Sequence, residues 1–259
     1  MSPPGVTLVG FDTALATTSA CVLRADGEAF RSEPPSPERL LGPARHSQEL
    51  LPELDRLLVQ AGTGWRAVDS IAVGVGPGTF TGLRIGVATA RALAQALRIG
   101  VRRVSSLAAL ATGAAAGRKL ESGRLVLALI DARRGQVFAS LQRVARVASP
   151  DAGLPALEVI WEPFVTDPGP LLARLAELDA PVCAGDWALE SRTELERSGA
   201  EVLPPDSGVH AVDALYVCRL ALSIEPVSTD EIHPVYLRLP DAEVHKARRP
   251  IGDAGEEGT

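Results

Sequence analysis

The chain has 259 residues, of which 46% are hydrophobic and 22% charged, as in an ordinary globular protein, and this length allows one large domain or two small ones. Its formal net charge of −6 argues against a protein that binds RNA strongly on its own, because such domains usually carry a basic face. A local basic patch stays compatible with this charge.

The cysteines and the N-terminal region indicate a reducing compartment. Cys21, Cys183 and Cys218 are far apart and form no CxxC pair, so we expect reduced, buried thiols. Asp12 interrupts the first apolar run, which therefore does not read as a signal peptide. No uncharged apolar stretch approaches the roughly 20 residues that span a bilayer. We predict a cytoplasmic protein that does not associate with membranes.

The first third of the chain predicts three antiparallel strands followed by alternating helices and strands. Val6–Phe11 is a continuous apolar run, and Ala25-Asp26-Gly27 between two further strand-like runs indicates a hairpin. Four prolines at 32–43 predict a loop. The elements that follow are a helix at 44–61, a strand at 68–75, a helix at 81–97 and a strand at 101–104.

The helix predicted at 81–97 carries a stripe of very small residues at every fourth position, namely Gly82, Gly86, Ala90 and Ala94. A stripe with almost no side chain lets another element approach closely. Two glycines inside a helix cost about 1 kcal/mol each relative to alanine. Two interpretations are open: close packing on the protein's own sheet, or contact with a helix of a partner protein.

The second half of the chain repeats this order. Leu125–Ile130 is an apolar strand that ends at Asp131, as Val6–Phe11 ends at Asp12, and Gln136–Val144 returns as a second strand. The other predicted elements are a helix at 105–116, a strand at 157–161, a helix at 167–178, a strand at 181–184, a helix at 187–198, a strand at 200–203, a helix at 209–222 and an extended segment at 232–239.

Two units with this strand order predict an α/β protein with an actin/hexokinase/Hsp70-like (ASKHA) fold, in which two ribonuclease-H-like lobes contain mixed sheets. We assign residues 1–104 to the N-terminal lobe, which we expect to hold the partner or dimer interface. Residues 105–225 form the C-terminal lobe, and 226–259 are a late extended segment and a frayed tail.

The segment from Gly76 to Gly86 lies between a predicted strand and a predicted helix, where backbone N–H groups can hold an anion. It lacks a Walker A sequence, since Gly82 is followed by Leu83, and Gly82 comes one position late for a GxGxxG fingerprint. We expect a structural turn that starts the helix. Binding of phosphate at Gly76 and Gly78 is the alternative.

Asp12 and Asp131 could together hold a magnesium ion, as acidic residues do at these places in ATP-using members of the superfamily. The hairpin after Asp12 lacks the glycines that let a backbone wrap a phosphate closely, which favours a turn or N-cap role. Arg133 and Arg134 form either a solvated hairpin tip or an anion contact. The sequence has neither HxxxH nor GxSxG, so we predict no metal site and no serine hydrolase.

In combination, these segments resemble the TsaB (YeaZ) family, which takes part in making threonylcarbamoyladenosine (t6A) in tRNA. The resemblance runs from about Val6 to Arg238, with mild departures at Thr79, Gln136 and Phe138. Its anchors are Phe11-Asp12-Thr13, His46-Ser47, Leu50-Leu51-Pro52, the Gly76–Gly86 block, Asp131-Ala132-Arg133-Arg134-Gly135 and Pro234-Val235-Tyr236-Leu237-Arg238.

The resemblance implies a non-catalytic subunit that binds and supports TsaD, a catalytic paralogue that holds a metal through histidines on a helix. It also implies contact with the ATPase TsaE, a homodimer as an alternative assembly through the same lobe, and contact with tRNA only through the complex. We expect no cofactor and no catalytic residue in this chain.

We expect the helices at 44–61 and 81–97 to form the partner face, with contacts from His46, Leu50, Leu54, Gly82, Gly86, Ala90 and Ala94. Two rival hypotheses remain. An ATP-dependent phosphotransferase of the same superfamily would use Asp12 and Asp131 for Mg²⁺ and the glycine-rich segment for phosphate. A peptidase is the other, against which the missing metal pair and nucleophile elbow argue.

Overall fold

The computed structural model describes residues 5–145 and 154–238, which form two five-stranded mixed sheets with helices on their faces. The first sheet contains β1 Leu8–Asp12, β2 Ser19–Leu23, β3 Ala29–Arg31, β4 Ser70–Gly74 and β5 Gly100–Val104. The second contains β6 Leu125–Arg133, β7 Gln136–Val144, β8 Leu157–Thr166, β9 Val182–Ala184 and β10 Glu201–Val202.

The α-helices of the described residues connect these strands. They are α1 Pro37–Leu40, α2 His46–Gln60, α3 Phe80–Leu97, α4 Ser106–Gly117, α5 Pro168–Leu175, α6 Asp186–Glu190, α7 Arg192–Arg197 and α8 Ala214–Ala221. None of them is long and apolar enough to cross a membrane.

The two sheets have the same topology. The first has the order β3-β2-β1-β4-β5, and the second has the matching order β8-β7-β6-β9-β10. In each sheet the first three strands in sequence pair antiparallel, and the last two run parallel to the first. This ribonuclease-H-like arrangement, present twice, confirms the predicted ASKHA fold.

The hydrophobic core lies in three layers around the sheets. Side chains alternate along β1, so Val9 and Phe11 pack under α2 and α3, while Leu8 points to the opposite face. The space between the two sheets is filled by α4 and α8, and the outer face of the second sheet is covered by α5, α6 and α7. The outward surfaces of α2 and α3 are therefore the outside of the first lobe.

Helix α8 packs on β1 and β2 of the first sheet, although its position in the sequence falls within the C-terminal lobe predicted at 105–225. The chain after α8 stays with the first lobe: Val227 pairs with Val101, and the N–H of Val235 donates to the carbonyl of Val75. The predicted lobe boundaries at 105 and 225 remain a prediction. Helix α8, however, packs against the first sheet.

Several predicted boundaries differ from the structure. The loop predicted at 32–43 contains α1, because Ser36 caps a helical turn and a proline fits the first position of a helix. The single helix predicted at 187–198 is divided into α6 and α7 at Ser191. In addition, β8 extends to residue 166, α8 begins at 214, and residues 232–238 form no strand; residue 239 lies outside the described residues.

The three cysteines are free and buried, as predicted. Burial raises the pKa of the Cys183 and Cys218 thiols, so these thiols stay protonated and unreactive. Cys218 lies on α8 directly over Gly10 of β1, where an added Cβ would be 2.3 Å from the Cys218 Sγ. Gly10 is therefore a glycine because α8 sits close to the strand.

The contact between Gly10 and Cys218 yields a test of this packing by a double-mutant cycle. We expect Gly10→Ala to lower the free energy of unfolding by about 2 kcal/mol because the methyl group overpacks the site. Cys218→Ala alone leaves a small cavity, but in the double variant it makes room for the new methyl group. In urea titrations the double variant should be at least about 1 kcal/mol more stable than the sum of the two single-variant losses predicts. Additive losses would contradict the packing.

Candidate functional site

The glycine-rich segment between β4 and α3 lies directly on the turn that follows β1. The N–H of Thr79 donates to the carbonyl of Ala14 at 2.8 Å, and the Thr13 hydroxyl donates to the carbonyl of Gly82 at 2.8 Å. A Cβ on Gly78 would lie 2.5 Å from the Ala14 Cβ, and one on Gly82 would lie 2.0 Å from the Thr13 carbonyl oxygen. These two glycines allow two backbone segments to approach each other closely.

Asp12 connects the end of β1 to the start of α4. It is buried, with its Oδ2 accepting from the Ser106 hydroxyl at 2.6 Å and its Oδ1 from the N–H of Ala14 at 2.7 Å. Ser106 in turn accepts from the N–H of Gly76 at 3.2 Å. Burial raises the pKa of Asp12, and these hydrogen bonds oppose the rise. Both carboxylate oxygens thus serve internal contacts; the magnesium role of Asp12 remains a prediction.

Asp131 belongs to a separate acidic group at the tip of β6. Its carboxylate accepts from the N–H of Arg133 at 2.7 Å and contacts the Arg133 guanidinium at 2.8 Å. The N–H of Asp131 donates to Asp186 Oδ1 at 3.0 Å. Burial raises the pKa of Asp186 to about 6, and the nearby carboxylates of Asp131 and Glu190 add to the rise. Within 5–145 and 154–238, no group of three or more histidine, cysteine or acidic residues could hold a metal ion.

The residues predicted to contact a partner lie inside the first lobe. His46, Leu50, Leu54, Gly82, Gly86, Ala90 and Ala94 are all buried. The leucines and alanines among them belong to the core between the helices and the sheet, while the two glycines face Thr13. The protein's own sheet and turn cover these side chains, so the prediction that they form a partner surface is wrong.

The outward faces of α2 and α3 carry different residues. Ala88, Ala92 and Ala96 recur at every fourth position along the exposed side of α3. On α2, Leu51 is 49% exposed and Val59 is 78% exposed. These residues, together with exposed polar neighbours such as Gln95 on α3 and Asp55 on α2, form the surface that we name the outward helix face.

His46 is the first residue of α2, and its imidazole lies close to Gly82 of the glycine-rich segment. Its Nδ1 lies 2.9 Å from the Thr18 hydroxyl, and its Nε2 has no hydrogen-bond partner among the described residues. Burial lowers the pKa of His46, and the carbonyl of Leu15 opposes this. The imidazole is therefore neutral at physiological pH and fixes the turn below Gly82, where an added Cβ would come within 3.2 Å of Nε2.

A cleft of about 630 Å³ opens between the lobes. Its walls come from the start of α3, the tip of the β6–β7 hairpin and the last described residues of the chain. Its charged lining residues in the described part of the chain are Arg133, Arg134 and Arg238, with no acidic residue among them. The sequence pointed to the hairpin arginines, whereas Tyr236 stood out only within an anchor segment of the family resemblance and was not predicted to line a cleft.

Comparison with known proteins identifies the family. The family model described as TsaD, tRNA N6-adenosine threonylcarbamoyltransferase, matches residues 41–156. The tRNA threonylcarbamoyladenosine biosynthesis protein TsaB of Haemophilus influenzae is 32% identical over 240 residues, covering 90% of this chain and 94% of that protein. The chain belongs to the TsaB family.

Other TsaB-family relatives agree with this assignment. TsaB of Bacillus subtilis is 31% identical over 204 residues, covering 76% of this chain and 82% of its own. The solved structure of YeaZ from Pseudomonas aeruginosa superposes with a TM-score of 0.67 at 27% identity, covering 90% of this chain and all of that one. A second solved structure, an uncharacterized protein from Pseudomonas aeruginosa with similarity to the peptidase YEAZ, has a TM-score of 0.66, 31% identity and the same coverage.

Proposed function

We propose that this chain is a non-catalytic subunit of the complex that makes t6A in tRNA, and that it binds and supports the TsaD transferase. The outward helix face carries this proposal. The buried side chains of α2 and α3 pack against the protein's own sheet. The opposite, exposed sides of the two helices are therefore available for contact with a second protein. The names of the curated relatives support the pathway.

The shape of the outward helix face suits helix–helix contact. Ala88, Ala92 and Ala96 form a line of short side chains along α3, and short side chains let the backbone of another helix come close. Leu51 and Val59 on the neighbouring helix add exposed apolar area, which on a soluble surface commonly marks an interaction site. The same surface would serve a homodimer, so the two assemblies compete for it.

The interior of the first lobe supports a structural rather than a catalytic role. Asp12 accepts hydrogen bonds from Ser106 and from the turn that follows β1. The space beside the glycines at 78 and 82 is occupied by the residues after β1. We therefore assign no catalytic residue to this chain. We further propose that the ATPase TsaE and tRNA join through the assembled complex, and that this takes place in the cytoplasm.

A single substitution on the outward helix face tests the proposal. We expect Ala92→Arg to weaken binding to the TsaD subunit at least about tenfold, because a long charged side chain separates the two helices. An exposed substitution changes folding stability by only about 0.5 kcal/mol, so the chain should unfold as the wild type does. Calorimetric titration of the TsaD subunit gives the affinity, and sedimentation of the chain alone shows whether a homodimer is lost with it.

Ala173→Arg is the matched control, since Ala173 is exposed on α5 of the other lobe. If Ala92→Arg binds TsaD like the wild type while Ala173→Arg does not, the interface lies on the second lobe. A reconstituted t6A assay with each subunit omitted tests the role itself. Modification of tRNA by this chain alone, or full activity in its absence, would contradict a supporting subunit.

A further inference from the structure

Two of the few aromatic residues of this chain lie together at the mouth of the cleft. Aromatic residues make up only 4% of the sequence, yet Phe80 and Tyr236 are 41% and 39% exposed. Their ring centroids are 5.3 Å apart, and the guanidinium of Arg84 lies 3.7 Å from the centre of the Phe80 ring. Arg84 also donates to the Tyr236 hydroxyl at 3.2 Å, so the cluster is held in place.

The exposure of these rings is informative, because aromatic side chains that only fill the core of a protein are buried. Here Arg84 lies over the Phe80 ring and donates to the Tyr236 hydroxyl, and both rings remain partly exposed to solvent. A planar ligand can stack on such a platform without rearranging it. Stacking on aromatic and arginine side chains is the common way in which proteins hold unpaired bases.

The charge of the cleft is opposite to that of the whole chain. The net charge is −6, but every charged side chain that lines the cleft in the described residues is an arginine. Arg133 forms an ion pair with Asp131. Arg133 and Arg134 are adjacent at the tip of the hairpin, and both have left-handed backbone conformations. A ligand that combines aromatic rings with negative charge therefore complements this site.

The start of α3 forms the remaining wall and adds to the positive potential. Residues 78–82 line the cleft, and the positive end of the helix dipole lies there. The volume of about 630 Å³ falls within the range of small-ligand sites and is large enough for one or two nucleotide units. The rings, the arginines and the helix start thus surround one space.

From these features we infer that the cleft binds a single-stranded segment of RNA, with a base on the Phe80–Tyr236 platform and the adjoining phosphates at Arg133 and Arg134. This goes beyond the proposed function, because it assigns to this chain a direct contact with the RNA. A cleft of this size contacts few phosphates, so the binding is weak for the isolated chain and adds to that of the assembled complex.

The test uses the full chain and a fluorescein-labelled single-stranded RNA of about eight uridines, with anisotropy measured over a range of salt concentrations. The double variant Arg133→Gln, Arg134→Gln should bind about tenfold more weakly in low salt. Its plot of log affinity against log salt should also be shallower by about 1.4, since each single-strand phosphate contributes about 0.7 to the slope. A loss of structure alone does not predict this change in slope.

Tyr236 provides an independent variant on a different segment, so the test survives if the hairpin variant folds poorly. We expect Tyr236→Ala to weaken binding about tenfold, whereas Tyr236→Phe keeps the ring and binds normally. Arg66→Glu is the charge control, because Arg66 is exposed at the opposite end of β4 from the cleft. Equal losses in this control, or wild-type binding by the cleft variants, would overturn the inference. Competition by free UMP at concentrations equal to the RNA would also overturn it, since it would indicate a mononucleotide site.

Discussion

Replacing Gly82 with alanine should lower the free energy of unfolding by about 3 kcal/mol or more. An added Cβ would lie 2.0 Å from the carbonyl oxygen of Thr13 and 2.6 Å from the Thr79 hydroxyl. The first contact is with backbone, which is fixed by the hydrogen bond from Thr13 to Gly82 itself. Alanine normally stabilises a helix by about 1 kcal/mol relative to glycine, so the clash has to outweigh this gain.

Urea unfolding of the variant measures this loss. Gly64→Ala is the control, because Gly64 has an extended backbone that any residue adopts and an added Cβ there meets no atom within 4 Å. The control should equal or exceed the wild type in stability. If Gly82→Ala is as stable as Gly64→Ala, the turn after β1 does not press against α3 as the structure describes.

Asp186→Asn should stabilise the protein by up to about 3 kcal/mol above pH 7, with the gain disappearing near pH 4. Burial raises the pKa of Asp186 from 3.8 to about 6, a difference that corresponds to about 3 kcal/mol. The amide of asparagine keeps an oxygen that can accept from the N–H groups of Asp131 and Trp187. It removes only the cost of holding a charge in the core.

The direction of the pH dependence follows from the proton that the folded state retains. Below pH 3.8 the carboxyl is protonated in both states, and its contribution to stability is complete. As the pH rises, the unfolded chain loses the proton first, and the folded chain loses it near pH 6, so stability falls across this window. Chemical unfolding at several pH values, with the exposed Asp206→Asn as control, measures the difference. A constant difference between variant and wild type would contradict the buried, titrating carboxyl.

The fold was predictable because its signals are local. An apolar run that ends in an acidic residue and returns through a turn occurs at Asp12 and again at Asp131, and each occurrence became β1–β2 and β6–β7. The packing of α8 on the first sheet was not predictable in the same way. It depends on contacts between residues far apart in sequence, such as Gly10 and Cys218, and no local pattern records them.

The partner surface was mispredicted for a different reason. Helix α3 has two stripes of small residues, and four-residue spacing alone does not say which one faces the sheet. The larger apolar residues Leu83 and Val87 lie beside the buried stripe and extend it into a wide apolar arc, so the width of that arc was the available signal. The exposed Ala88 and Ala92 lie on the opposite side.

The cleft was only half visible in the sequence. Arg133 and Arg134 were recognised as a cationic pair because they are neighbours, whereas Arg84 and Tyr236 are 152 positions apart and meet only in the folded chain. An aromatic residue near the end of a chain gives no indication of what it will stack on. Sites built from distant segments of two lobes are accordingly the part of such a protein that residue patterns describe least well.

The placement of α8 also bears on how the molecule is made. During synthesis the strands of the first sheet emerge early, but the helix that covers one of their faces is specified more than a hundred residues later. Until that helix leaves the ribosome, Leu8 and Cys21 have no cover on that side. The early lobe therefore completes its folding only after α8 has been synthesised, and the two halves of the nascent chain mature together rather than one after the other.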